Sequence, residues 1–289
     1  MFKQLLQAGA AAALLAGSVS AQAVLLCNAT AQGSKLTICY AENPSAGGQV
    51  TGTPVDARGE FNAFLKQNTI GVDSFVGQSP GNPISTPEES PIGVDFGNGI
   101  TGSVTGSYEI FDPLTGESAG FRSSVYVLGN NNPESSEGRF GTSGDGDAER
   151  FIQGNNTFVI EFSQLVSAFG FYATDVGDFG GLLTLELLDA NGTRVGDAIE
   201  IVTSTPTGET ESAGGGNLLF WGFVDTANQY KSVRVNFNID ADGMGFDDFV
   251  TGTLADGPPN PTPQPASLAL LGAALAAAGL SRRRARRTS

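Results

Sequence analysis

Ser232-Val233-Arg234-Val235-Asn236-Phe237-Asn238 decides the fold class of this chain. Val233, Val235 and Phe237 alternate with polar neighbours. A period of two is the signature of a strand with one face in a core and one in water. Leu183, Leu185 and Leu187 repeat the pattern against Thr184 and Glu186, and Asp189-Ala190-Asn191-Gly192 then turns the chain. Working outward, further strands are expected over 157–162, 168–174, 195–202, 218–224 and 246–254. Earlier ones are expected over 74–76, 92–96, 100–105, 107–111 and 124–128. Residues 129–147 are polar and glycine-rich and read as a surface loop. One helix stands out, over 56–67, with Asp56 as its cap and Phe61, Phe64 and Leu65 on one face. With 40 glycines and 19 phenylalanines, the chain reads as an all-β sandwich.

Two fragments nearly repeat: Gly71-Val72-Asp73-Ser74-Phe75-Val76 and Gly245-Phe246-Asp247-Asp248-Phe249-Val250. They read as the first and last core strands, lying side by side. Near the start, two apolar runs flank a polar loop and carry Cys27 and Cys39. That is the pattern of a β-hairpin stapled by one disulfide, at home in an oxidising compartment.

The two ends carry address signals. Lys3, an apolar stretch over 5–16 and Ala21-Gln22-Ala23 form a secretory signal peptide, with the mature chain expected from Val24. At the other end, Pro263-Gln264-Pro265-Ala266-Ser267 leads into a small-residue apolar run. The run stops at Arg282, Arg283, Arg284, Arg286 and Arg287. A helix of ~22 Å is short for a membrane span of ~30 Å, and the arginines place its end on the cytoplasmic side.

This tail resembles that of the PEP-CTERM proteins, whose Pro-Glu-Pro motif, short transmembrane segment and arginine-rich end are read by exosortase, a membrane transpeptidase. Gln264 stands where the family's usual residue is Glu. Internal segments resemble the body of a PEP-CTERM group too: 138–144, 168–181, Phe220-Trp221-Gly222-Phe223-Val224-Asp225 and 245–249. The resemblance implies an exported protein, handled by the secretion machinery and signal peptidase. It would be tethered to the membrane by its C-terminal helix before sorting, then reside at the cell surface or in an exopolysaccharide matrix. The Asp-Asp pair in the last strand also resembles carbohydrate-binding jelly rolls, which often hold a structural calcium there. The expected architecture is therefore a signal peptide (1–23), a stapled hairpin region (24–55) and a jelly-roll-like β-sandwich (56–254). A linker (255–262) and a sorting tail (263–289) follow.

Charge and composition narrow the chemistry. All 30 acids lie between the two address signals, against nine cations there, so the exported body is near −21. Such a surface repels nucleic acid. The absence of histidine removes Ser-His-Asp and Cys-His catalysis and histidine-ligated metals. No phosphate-binding loop or dinucleotide fingerprint is present. Calcium is the ligand the acids suit best, with Asp73, Asp240, Asp242, Asp247 and Asp248 as candidates and the turns at Asp145-Gly146-Asp147 and Asp175-x-x-Asp178 beside them. The alternative is local Asx-turn chemistry. Asp247 and Asp248 are adjacent in a strand, so one is expected to point inward and need compensation. Three functions follow: a non-catalytic surface or matrix protein, a sugar-binding module with Trp221 and Tyr172 as stacking platforms, and a two-carboxylate glycosidase. Core packing is the alternative for those aromatics, although Phe220 and Phe223 on the same strand leave Trp221 free to face solvent.

Overall fold

A computed structural model describes residues 26–30, 35–44, 46, 49–80, 91–129, 140–142, 150–176, 183–203, 217–237 and 243–255. The segments expected to be a signal peptide (1–23) and a sorting tail (263–289), with the Pro263–Ser267 motif and the arginine cluster, lie outside them. In chain order the elements are β1 (Cys27–Ala29), β2 (Leu36–Asn43), α1 (Thr53–Ala63), β3 (Gly71–Asp73), β4 (Ile92–Asp95) and β5 (Thr101–Thr105). Next come β6 (Ser107–Phe111), β7 (Ser118–Ser123), β8 (Val125–Gly129), β9 (Arg150–Gly154), β10 (Phe158–Val166) and β11 (Ala168–Thr174). The last are β12 (Leu183–Leu188), β13 (Ile199–Ile201), β14 (Leu218–Asp225), β15 (Tyr230–Phe237) and β16 (Met244–Thr251).

These strands build two facing antiparallel sheets. The larger runs β1-β2-β14-β11-β16-β9-β8, with β3 also paired to β16. The smaller runs β13-β12-β15-β10-β5-β4, and β6 and β7 form a separate hairpin. Apolar side chains from both inner faces meet in one core. Phe158 of the smaller sheet packs on Phe246 of the larger at 5.1 Å between ring centroids, and Phe162 on Phe169 at 5.1 Å. The expected sandwich is thus present.

The outer face of the larger sheet is covered as well, which is why β11, β14 and β16 are buried along their whole length. The cover is α1. Its Ala57 and Phe61, with Leu65 just beyond, pack on Phe220, Tyr172, Val224 and Val250. Phe61 seats directly over Gly222, where a Cβ would lie 2.9 Å from the ring. The helix starts at Thr53 rather than Asp56, because Pro54 fits the first helical turn, where no N–H partner is needed. Asp56 therefore sits inside the first turn, near the positive end of the helix dipole. The helix ends at Ala63, and Leu65 instead bridges to Leu254.

The first and last core strands lie side by side. β3 pairs antiparallel with β16, with Asp73 opposite Phe249, and Phe75 meets Phe249 edge to face at 5.1 Å. The strand stops at Asp73, though. Phe75, expected in a strand over 74–76, has a positive φ of 56° and sits in a turn. The N-terminal staple is formed: Cys27 and Cys39 are opposite each other in the β1–β2 hairpin and joined by a disulfide.

Candidate functional site

The adjacent carboxylates Asp247 and Asp248 sit where β16 changes neighbours along one edge. That edge pairs with β9 through Phe246 and with β3 from Phe249 onward. On the other edge, three residues of β11 (Gly170 to Tyr172) lie against four of β16 (Val250 to Asp247). β16 therefore carries one extra residue, a β-bulge, and Asp248 takes it up with a positive φ of 50°. The consequence overturns the alternation argument. Phe246 and Phe249 both face the inter-sheet core although they are three residues apart. Neither carboxylate enters that core.

Asp248 instead meets α1. Its Oδ2 accepts from Arg58 Nη1 at 2.5 Å, and both side chains are largely buried. The Arg58 guanidinium also lies over the Tyr172 ring, 5.2 Å from its centroid. Burial opposes the charge on Arg58, but Asp248 beside it raises its pKa above the ordinary arginine value. Burial likewise raises the Tyr172 hydroxyl, against the pull of Arg58.

Asp247 is 1% exposed. Its Oδ2 accepts from Thr142 N at 2.6 Å and Thr142 Oγ1 at 3.2 Å, and its Oδ1 from Asp248 N at 2.7 Å. Burial first, and the negative charge of Asp248 second, push its carboxyl well above the ordinary range despite those donors. The pair is thus one carboxylate with a built-in cation and one carboxyl biased to keep its proton.

The remaining candidates separate. Asp73 stands opposite Phe249, beside the bulge, but bonds elsewhere, with Oδ1 accepting from Phe75 N at 2.8 Å and Oδ2 from Asp95 N of the smaller sheet at 2.6 Å. It bridges the two sheets, whereas Asp248 faces the helix on the outside. Asp240, Asp242, Asp145, Asp147 and Asp178 lie outside the described residues, and Asp175 follows directly after β11 with a positive φ of 62°. Among the described residues, no three of the metal-ligating acidic or cysteine side chains gather at one point.

Trp221 and Tyr172 are not surface platforms. Trp221 is 1% exposed and packs between Phe171 and Phe223, and Tyr172 is 2% exposed under α1. Trp221 falls on the inner face because Phe220 and Phe223 do not share one. Phe220 meets the helix Phe61, while Phe223 faces Tyr230 in the core. Sequence reasoning passed over three residues of consequence. Arg58 lies three before Phe61 and so on the buried face of the expected helix, a readable signal. Thr142 gave none, since its role depends on a bulge 105 residues away. Asp225 closes an apolar run. Its carboxylate accepts from Ala227 N at 2.8 Å, Asn228 N at 3.0 Å, Asn228 Nδ2 at 3.1 Å and Tyr230 Oη at 2.5 Å.

No family model matches the chain, and no curated protein sequence does. Among solved structures it is similar to TmCBM61 in complex with beta-1,4-galactotriose, at 18% identity and a TM-score of 0.22 over 50% of this chain and 85% of that one. It is also similar to the enzymatically active domain of tailspike protein 4 of Bacteriophage CBA120, at 18% identity and a TM-score of 0.25. That match covers 62% of this chain and 20% of the tailspike chain. A third similarity, at 11% identity and a TM-score of 0.11, is to carbohydrate-binding modules from the beta-sandwich super family, over 55% of this chain and 86% of that one. At these scores the likenesses carry no argument about what this chain binds.

Proposed function

We propose that this chain is an exported, non-catalytic protein of the cell surface or extracellular matrix, a jelly-roll-like β-sandwich associated with exopolysaccharide. The secretion machinery and signal peptidase deliver it, its C-terminal helix tethers it to the inner membrane, and an exosortase-type transpeptidase processes the tail. The observation that carries the non-catalytic reading is the engagement of three buried carboxylates by the domain's own groups. Asp248 is held by Arg58, Asp247 by Thr142 and Asp225 by the turn it closes. A glycosidase needs two carboxyl groups open to one sugar, roughly 5–9.5 Å apart. Internal fasteners suit a passive, durable scaffold. The Cys27–Cys39 disulfide is in keeping with export.

The test is mass spectrometry of the mature protein from its native host, with and without the sorting enzyme. The expected product starts at Val24 and is cut near Pro263–Ser267 only when the enzyme is present. An uncut tail in both strains would sink the sorting reading. Release of reducing sugar from the host's own polysaccharide by residues 24–262 would sink the non-catalytic one.

A further inference from the structure

At one side of the sandwich the two sheets part. Ile38 and Tyr40 of β2 face inward from the larger sheet, Ile199 of β13 from the smaller, and all three are only partly buried against the core. Between them lies a cleft of about 330 Å³, floored by Trp221 and rimmed by Val202. That is the small end of the range for ligand pockets, ~300–1,000 Å³. The Tyr40 hydroxyl donates to the Val202 carbonyl at 3.0 Å and ties the two sheets across the mouth.

The chemistry of the walls is lopsided. Branched aliphatic side chains come from both sheets, with two aromatic rings from the larger. Among the described lining residues the one carboxylic acid is Glu200, whose residue is exposed. Trp221 Nε1 is buried with no hydrogen-bond acceptor among the described residues. Lodging a hydrocarbon chain here continues the core, as apolar surface leaving water gains ~25 cal/mol per Å². A negatively charged head would meet Glu200 and the acidic body.

We infer that this inter-sheet cleft binds a single-chain amphiphile whose head carries no negative charge, its tail between Ile38 and Ile199 and its head at the Val202 rim. This site is independent of tail sorting and of the Asp247–Asp248 bulge. It also has a built-in reporter, because Trp221 is the sole tryptophan of the chain.

The test is fluorescence titration of residues 24–262 with n-octyl β-glucoside below its micellar concentration, beside octanoate and glucose. Trp221 emission should shift to a saturable plateau with octyl glucoside, and the melting temperature should rise with it. Octanoate should bind about tenfold more weakly or worse, and glucose should not bind. Val202→Glu, at a residue 67% exposed, adds a rim charge without touching the core and should weaken octyl glucoside binding while leaving the melting temperature of the free protein unchanged. Ile199→Phe should fill the cleft and abolish the titration while leaving Trp221 the only reporter. An absent or unsaturable shift, octanoate binding as tightly as octyl glucoside, or a response to glucose alone would each overturn the inference. The last outcome would point to a sugar site instead.

Discussion

Asp225 and Asp247 lie in the same sheet, on β14 and β16, the two strands that flank β11. Both are almost fully buried, yet their acidities move in opposite directions. Burial raises both. At Asp225 the donors of Tyr230, Ala227 and Asn228 overcome it and hold the carboxyl below its ordinary value. At Asp247 a second negative charge, Asp248, adds to burial, and the donors of Thr142 and the Asp248 amide do not compensate. Burial alone therefore does not set the charge state; the balance of donors and neighbouring charge does.

This contrast fixes the sign of two pH effects. The stabilisation from Asp225 is present above its ordinary carboxyl value and is lost as pH falls through its depressed folded value. The contribution of Asp247 runs the other way, full below its ordinary value and lost as pH rises through its raised folded value.

The largest expected effect comes from removing the cation beside the pair. Arg58→Ala should cost ~3 kcal/mol in chemical denaturation, because it strands a mostly buried Asp248. The loss should grow with pH as the raised carboxyl of Asp247 loses its proton beside Asp248 with no cation in place. A cost that does not change with pH would mean Arg58 acts only by packing on Tyr172. Tyr230→Phe comes next, at ~2 kcal/mol near neutrality for a hydrogen bond to a charged acceptor. Its cost should fade in acid as Asp225 protonates, so melting curves at two pH values decide it. Asp247→Asn should cost ~1 kcal/mol in acid, where an acceptor is lost. It should flatten the alkaline decline of the wild type, so that the two melting temperatures converge or cross as pH rises. Divergence on the alkaline side would show that Asp247 is ionised in the folded protein. The smallest effect concerns calcium. The change in melting temperature between excess calcium and EDTA should be the same in wild type and Asp248→Asn, since Arg58 already occupies the cation's place. A shift present only in wild type would return calcium to the bulge.

The strands that face water on one side were legible in the sequence. Val233, Val235 and Leu185 alternate with Arg234 and Glu186, and that pattern leads directly to β12 and β15. β9 was not, since Phe151 packs on the outer cluster with Tyr126 and Leu128 while Ile152 enters the inner core, which erases the alternation. The Asp-Asp pair was legible as a place needing compensation. Its compensator was not, because a bulge cancels the alternation rule and the cation sits 190 residues away in α1. Trp221 was misread for a related reason. Both faces of β14 are buried, so no position on it is left for solvent.

The pairing of β3 with β16 also constrains how the chain can assemble. β16 holds β11 on one edge and both β9 and β3 on the other, and it ends at Thr251. A chain emerging N-terminus first has no middle for its larger sheet until nearly the whole domain is out. Contacts of such long sequence separation form slowly, since loop closure comes before any gain from pairing. The last described strand, β16, is therefore the one that closes the larger sheet, joining β11 to β9 and β3.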